Sequence, residues 1–448
     1  MNKNLNFYAE QFAAFAWGPW LIVLLIGSGI FFLSYSKFEI FKYLIHAFKV
    51  LFSKQNNNNE EGEVTPFQAL TTSLSGTIGL GNIAGVALAI SIAGPGSVFW
   101  MWITAIIGIA TKFFTCTLSV MYREKNDEGQ VFGGPMYVIK NGLPKKMLPL
   151  AYFFAIAGMI GCLPAFQSNQ LIQITGDLVF SNIENFNLYG GFALALITGI
   201  VVIGGLKRIA EVASYLVPFM GSIYFGAMLI AILLNFELVV PALKLIFVDA
   251  FNGTAVAGGT FIGVLIYGVR RGAFSNEAGM GTESLVHGVA KVSNPVKQGL
   301  VAMTGPIFDT LIICTATALI ILISGVWETS ASQGVTLTSE AFNLLLGDVG
   351  GFILFACVIC FGLSTIFTYS YYGATCARFL FGNFGMNFYI YLYIIGIFIY
   401  SIVPIDIAIN IADGAFAMMA IPTLISALWL APKVMQESRN YFKLINNA

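Results

Sequence analysis

The chain has 448 residues with 22 basic and 22 acidic side chains, so its formal net charge is zero; 57% of it is hydrophobic and only 10% charged. A soluble domain carries about 25% charge, and a mean hydropathy of +0.82 excludes a soluble enzyme; no nucleic-acid partner is expected. Apolar runs of roughly 20 residues, each enough to cross about 30 Å of hydrocarbon, recur along nearly the whole length and leave no room for a large soluble domain, so the fold class is an all-α polytopic membrane protein.

Membrane helices are expected at 17–35, 66–92, 96–121, 148–176, 189–206, 209–234, 256–290, 303–327, 349–377, 385–403 and 407–431, eleven in all. Residues 1–16 carry Lys3 but no small-residue cleavage signature, so the first helix reads as a retained span rather than a signal peptide. KFEIFKYLIHAFKVLFSK (37–54) mixes basic and aromatic residues as an amphipathic helix on the inner leaflet does, and QNNNNEEGE (55–63) reads as a polar hinge. Residues 1–65 thus form an N-terminal unit, a tether or a regulatory element. Next, SLSGTIGLGNIAGVA (73–87) places Gly76, Gly79, Gly81, Gly85 and Asn82 inside a span otherwise apolar enough to cross a bilayer. Backbone at membrane depth has to be hydrogen-bonded internally, so such a break is tolerated only where it lines a cavity or is buried in protein.

Further along, AFQSNQ (165–170) sets Gln167, Ser168 and Asn169 on a span where lipid exposure is costly. GVRRGAFSNEAGMGTES (268–284) is a second Gly-rich polar interruption, and GLSTIFTYSYYG (362–373) offers the hydroxyls of Ser364 and Thr365. Lys112, Glu277, Glu283, Asp309, Asp406 and Asp413 are ionisable groups near membrane depth and functional candidates by default. For two of them a structural role is expected: Lys112 snorkels toward the inner face, and Glu277 pairs with Arg270 and Arg271. The six cysteines lie in or beside apolar segments and read as small packers. His46 and His287 alone do not make a haem or Cys/His metal centre. No phosphate loop, dinucleotide fingerprint or nucleophile–base set appears, so no resident cofactor and no enzyme chemistry are expected.

With the N-terminus outside, all but three of the 22 Lys and Arg residues fall on the cytoplasmic side; Lys3 and Lys244 lie opposite and Lys112 is within a helix. Apart from the first helix, ten helices split into five (66–234) and five (256–431), leaving 432–448 as a cytoplasmic tail. Five is odd, so the two units enter the membrane from opposite faces as an inverted repeat, and each opens with an interrupted helix. Such a helix exposes N–H groups at one end of the gap and C=O groups at the other, with partial charges of about +0.5 and −0.5. One pole suits a carboxylate and the other a cation. The first break holds no Arg or Lys, which favours a zwitterion with a co-bound cation over a free anion. A channel would need a continuous lined pore, which two dissimilar breaks do not supply. A proton-coupled carrier using Glu277, Glu283 or Asp413 is the alternative.

GLGNIAGVALAISIAGPGSVFWMW (79–102), GGPMYVIKNGL (133–143), QSN (167–169), RRGAFSNEAGMG (270–281) and NPVKQGLVAMTGPIFDTLIICTATAL (294–319) resemble the ordered motifs of the alanine or glycine:cation symporters of bacteria and archaea, over roughly Pro66 to Lys433. The resemblance implies a leucine-transporter-type fold with one added N-terminal helix. It also implies Na⁺-coupled uptake, or H⁺-coupled in some members, of a small neutral amino acid across a prokaryotic plasma membrane, with no obligatory protein partner evident beyond membrane lipid. By this likeness Gly79, Leu80, Gly81, Asn82, Gln167, Asn169 and Tyr369 border the substrate, while Gly76, Ser364 and Thr365 surround Na⁺. Leu80 stands where the family usually has Thr, Tyr369 where it has Trp, Ala374 where it has Glu, and Phe416 and Thr423 where it has Asn; Glu283 and Ser284 replace a small residue and Pro. These departures bear on which amino acid is carried.

Overall fold

A computed structural model of the chain describes residues 2–53, 60–127, 129–180, 182–252, 261–403 and 406–446. α1 (Asn2–Ala16) and α2 (Pro19–Tyr35) form one bent apolar run: Pro19 lacks the N–H to continue α1 and holds Gly18 in extended backbone (φ −69°, ψ 172°). A 3₁₀ turn (Glu39–Tyr43) and α3 (Leu44–Phe52) follow, α3 burying only Ala47 and Leu51 along one side. α4 (Pro66–Thr77) starts with a capping box, in which Thr65 accepts from the Gln68 N–H and the Gln68 side chain accepts from the Thr65 N–H. It stops at Ile78–Leu80. The chain resumes as a π turn (Gly81–Gly85) and α5 (Val86–Ala93), bent by 53° from α4.

The long α6 (Ser97–Met121) is enclosed by its neighbours, and a small hairpin of β1 (Glu124–Lys125) and β2 (Val131–Phe132) leads to α7 (Pro135–Gly142). α8 (Leu148–Gly161) and α9 (Ala165–Leu178) kink at Cys162–Pro164. α10 (Phe186–Val202), α11 (Gly205–Leu234) and α12 (Phe236–Asn252) follow. Next come α13 (Phe261–Asn276), a break at 277–281 and α14 (Thr282–His287). α15 (Pro295–Ala302), a π-helical stretch (Ile307–Cys314), α16 (Thr315–Ser324), α17 (Val326–Thr329) and α18 (Val335–Leu346) follow. α19 (Asp348–Ile402) is two helices divided at Gly382, whose φ is +69°, before α20 (Asp406–Met418) and α21 (Ala420–Asn446).

Among the described residues seven helical runs are long and apolar enough to cross a membrane, or eight with α4 and its bent continuation taken as one span. Large apolar side chains such as Ile200, Phe219, Leu233, Phe352 and Phe388 lie exposed on α10, α11 and α19, as suits helices that face lipid.

Several boundaries differ from the sequence expectation. The first span begins at Asn4 rather than at 17, because its outer turns carry polar residues that dilute the hydropathy. The expected 303–327 span starts at Pro295. The second break is confined to 277–281, so Arg270 and Arg271 are helical and stand on the other half of the broken helix from Lys291 and Lys297. Residues 433–446 continue α21 because that end docks on the segment after α2: Tyr43 stacks on Phe442 with centroids 3.8 Å apart, and the His46 ring nitrogen is 2.9 Å from the Tyr441 hydroxyl. The start of the 256–290 span and most of the 55–63 hinge lie outside the described residues.

Candidate functional site

The two breaks meet. The last turn of α4 leaves carbonyls without helical partners, and the Ser75 carbonyl accepts from both the Ser364 and the Thr365 hydroxyls of α19, each at 3.2 Å. Ser75 in turn donates to the Ser364 carbonyl at 2.7 Å and shares a 2.8 Å hydrogen bond with Thr368. Gly76 faces Tyr372 and Thr368, and a methyl on Gly79 would fall 2.7 Å from the Thr365 hydroxyl. Hydroxyl and carbonyl oxygens thus converge at the negative pole of a half-helix, a donor set that suits a hard monovalent cation.

Beside this lies a cavity of about 200 Å³. Leu80, Gly81, Ala84 and Gly85 of the first break form one wall; the α8–α9 kink contributes Gly161, Phe166 and Gln167. Arg270, Arg271 and Phe274 come from α13, Tyr369 from α19, and Asp413 and Phe416 from α20. Tyr369 and Phe416 stack at 6.0 Å. Gln167 Oε1 is buried without a hydrogen-bond partner, as is Arg271 Nε, and an unmet acceptor and donor in one cavity suit a ligand bearing both kinds of group.

Of the residues expected to border substrate, Leu80, Gly81, Gln167 and Tyr369 line this cavity, and Gly79, Asn82 and Asn169 do not. Asn169 donates to the Tyr400 carbonyl at 3.1 Å. Asn82 is fully buried: its Oδ1 accepts from the Gly79 N–H at 3.0 Å, and its amide donates to Asp309 Oδ1 at 2.6 Å and to Ser275 at 3.2 Å. Asp309 Oδ2 also accepts from Ser275 and Thr310, each at 2.7 Å. This knot ties the first break to α13 and to the π-helical stretch.

The second break is a left-handed turn, with φ of +54° at Glu277, +92° at Gly279 and +89° at Gly281. Gly281 has no alternative: a methyl there would lie 2.4 Å from the Thr423 hydroxyl and 2.6 Å from the Pro135 ring. Glu277 does not pair with Arg270 or Arg271, as the sequence spacing suggests; its carboxylate accepts from Thr282 at 2.5 Å and from Tyr369 at 2.7 Å. Arg270 reaches Asp413 instead, at 3.8 Å. Lys112 does not snorkel either, its side chain being 1% exposed. The fold and the site define a membrane carrier built on interrupted helices.

The comparisons with known proteins name that carrier class. A sequence model of the sodium:alanine symporter family matches residues 2–448, and the chain belongs to this family. The sodium/alanine symporter AgcS of Methanococcus maripaludis is 38% identical over 443 residues, 97% of this chain and 96% of that protein. The amino-acid carrier protein AlsT of Bacillus subtilis is 33% identical over 431 residues, 96% and 90% of the two chains. The crystal structure of MhsT in complex with L-phenylalanine superposes with a TM-score of 0.54 at 14% identity, over 84% of this chain and 98% of that one. The fold is therefore of the leucine-transporter type, and the protein is a multi-pass membrane, cation-coupled amino-acid symporter.

Proposed function

We propose that the protein couples inward Na⁺ movement to uptake of a small neutral amino acid of the alanine and glycine class by alternating access. The observation that carries this reading is the convergence of the Ser364 and Thr365 hydroxyls on the Ser75 carbonyl, beside a cavity where Gln167 Oε1 has no partner. Na⁺ binds at the end of α4, the zwitterion binds against Leu80, Gly81, Gln167 and Tyr369, and each stabilises the other's site. One cation carried with a zwitterion moves net charge, so membrane potential contributes about 2.3 kcal/mol per 100 mV, a roughly 50-fold accumulation.

The architecture proposed is eleven spans in a 5+5 inverted repeat with one added N-terminal helix, in a prokaryotic plasma membrane. The N-terminus is placed outside and the C-terminus in the cytoplasm, supported by the loop Lys and Arg of the sequence. The test is alanine uptake into proteoliposomes at fixed pH with Na⁺ replaced by choline. Uptake is expected to disappear in choline; undiminished uptake overturns Na⁺ coupling and favours a proton-coupled carrier using the buried Glu277 at the second break.

A hydroxyl facing an ion is worth about 1.5–3 kcal/mol. Thr365→Ala is accordingly expected to raise the Na⁺ concentration for half-maximal uptake about tenfold, with Thr365→Ser close to wild type. Gln167→Ala is expected to weaken alanine binding about tenfold with little change in the Na⁺ requirement, for the loss of one hydrogen bond to a charged group. Titration calorimetry of amino acid and ion separately distinguishes the two effects, and equal responses in both variants would mean the two sites are misassigned.

A further inference from the structure

One wall of the cavity comes from outside the ten-helix repeat. Trp17, at the bend between α1 and α2, is 4% exposed and lines the cavity together with Leu80 and Gly81. Its ring centroid lies 6.0 Å from that of Phe274, and the Arg270 guanidinium lies 5.3 Å from the Trp17 centroid, within cation–π range. Asp413, the ion-pair partner of Arg270, lines the same space. The local backbone explains the placement: Trp17 still closes the last helical turn on Ala13, and Gly18 and Pro19 then turn the chain into α2, which leaves position 17 at the bend beside the cavity.

α1 packs along α20 so closely that a methyl on Gly414 would lie 2.5 Å from the Phe12 ring. Trp17, just past the end of α1, and Asp413, on α20, therefore lie along one packed pair of helices; Arg270 and Phe274 sit on α13. A span serving only as a tether would bury its tryptophan against a helix or show it to lipid. This one presents an indole to the same space as Phe274, Phe416 and the unpartnered Gln167 oxygen.

The geometry points to Trp17 as a specificity-determining residue. Its indole limits the side chain that the cavity accepts and, together with Asp413, meets Arg270 and Phe274 when this side is shut. The inference rests on the cavity being the amino-acid site. The N-terminal span is then a working part of the carrier and not only its anchor.

A single methylene in an apolar pocket changes discrimination about 10- to 200-fold, and replacing an indole by a methyl frees far more room than that. The experiment is competition of labelled alanine uptake, into proteoliposomes under an inward Na⁺ gradient, by glycine, valine, leucine and phenylalanine. With Trp17→Ala, leucine and phenylalanine are expected to compete at least tenfold better relative to alanine, with Trp17→Leu intermediate and Trp17→Phe nearest wild type. The inference is overturned if transporting Trp17→Leu and Trp17→Phe proteins, with or without a folded Trp17→Ala, keep the wild-type order and spacing of competitors. A wild-type protein that takes up no amino acid under a Na⁺ gradient overturns the transport reading itself, and this inference with it. A loss of stability alone lowers the amount of active carrier without changing the ratio of competitors, so the ratio separates a wall residue from a packing residue.

Discussion

Replacing Lys112 by methionine is expected to cost about 2 kcal/mol of stability, the longer-range attraction between a buried cation and the carboxyl groups buried with it. Lys112, Glu277 and Asp309 are each 1% exposed and Glu283 is fully buried, so the one cation shares a dry interior with three carboxyl groups without a direct ion pair to any of them. Their donors are mainly hydroxyls and amides: Thr282 serves Glu277, Thr115 serves Glu283 at 3.1 Å, and Ser275, Thr310 and Asn82 serve Asp309. Hydrogen bonds soften the burial of a carboxylate but do not cancel its charge. Methionine fills a similar volume without a cavity, so the loss reports the charge alone. Chemical or thermal unfolding of the detergent-purified protein measures it, and a Lys112→Met, Glu283→Gln double variant is expected to regain part of the loss. If the single variant unfolds like wild type, or if Glu283→Gln deepens its defect, Lys112 does not hold this cluster together.

The interrupted helices were legible because glycines and polar residues stand out against apolar spans, and the structure bends α4 against α5 and stops α13 where those residues fall. The same clarity did not extend to faces. Side-chain direction is read from a period of 3.6 residues, and an unwound stretch has no such period, so Gly81 lines the cavity while Asn82, next to it, points into the Asp309 knot. On the intact α9 the rule holds: Asn169, two positions after Gln167, turns away toward Tyr400. Ion pairing was the other blind spot. Local spacing offered Glu277 to Arg270, yet Arg270 reaches Asp413, 143 positions further along the chain, and Glu277 is held by Tyr369 from α19. Trp17 gave no sign of its role, since only the packing of α1 on α20 carries it to the cavity.

Asn82→Ala is expected to lower alanine transport roughly a hundredfold while the protein still folds into the membrane. The deletion strands two buried groups at once, the Gly79 N–H at the break and Asp309 Oδ1. Each stranded group costs about 1–3 kcal/mol, and more where charge is involved, so a combined penalty of about 3 kcal/mol corresponds to that factor. The penalty falls on the broken segment because the rest of the Asp309 knot survives through Ser275 and Thr310. Gly79 stands between two sites, its Cα side against Thr365 and the following residues on the cavity wall. A relaxed break should therefore raise the half-saturating concentrations of Na⁺ and amino acid together, unlike Thr365→Ala or Gln167→Ala, each of which moves one of them. Asp309→Asn supplies the control: its carbonyl oxygen still accepts from Asn82, and the Ser275 hydroxyl is free to reverse its role from donor to acceptor. That variant should retain most transport. If Asp309→Asn is as damaging as Asn82→Ala, the knot acts through its charge and not through the hydrogen bonds that shape the break.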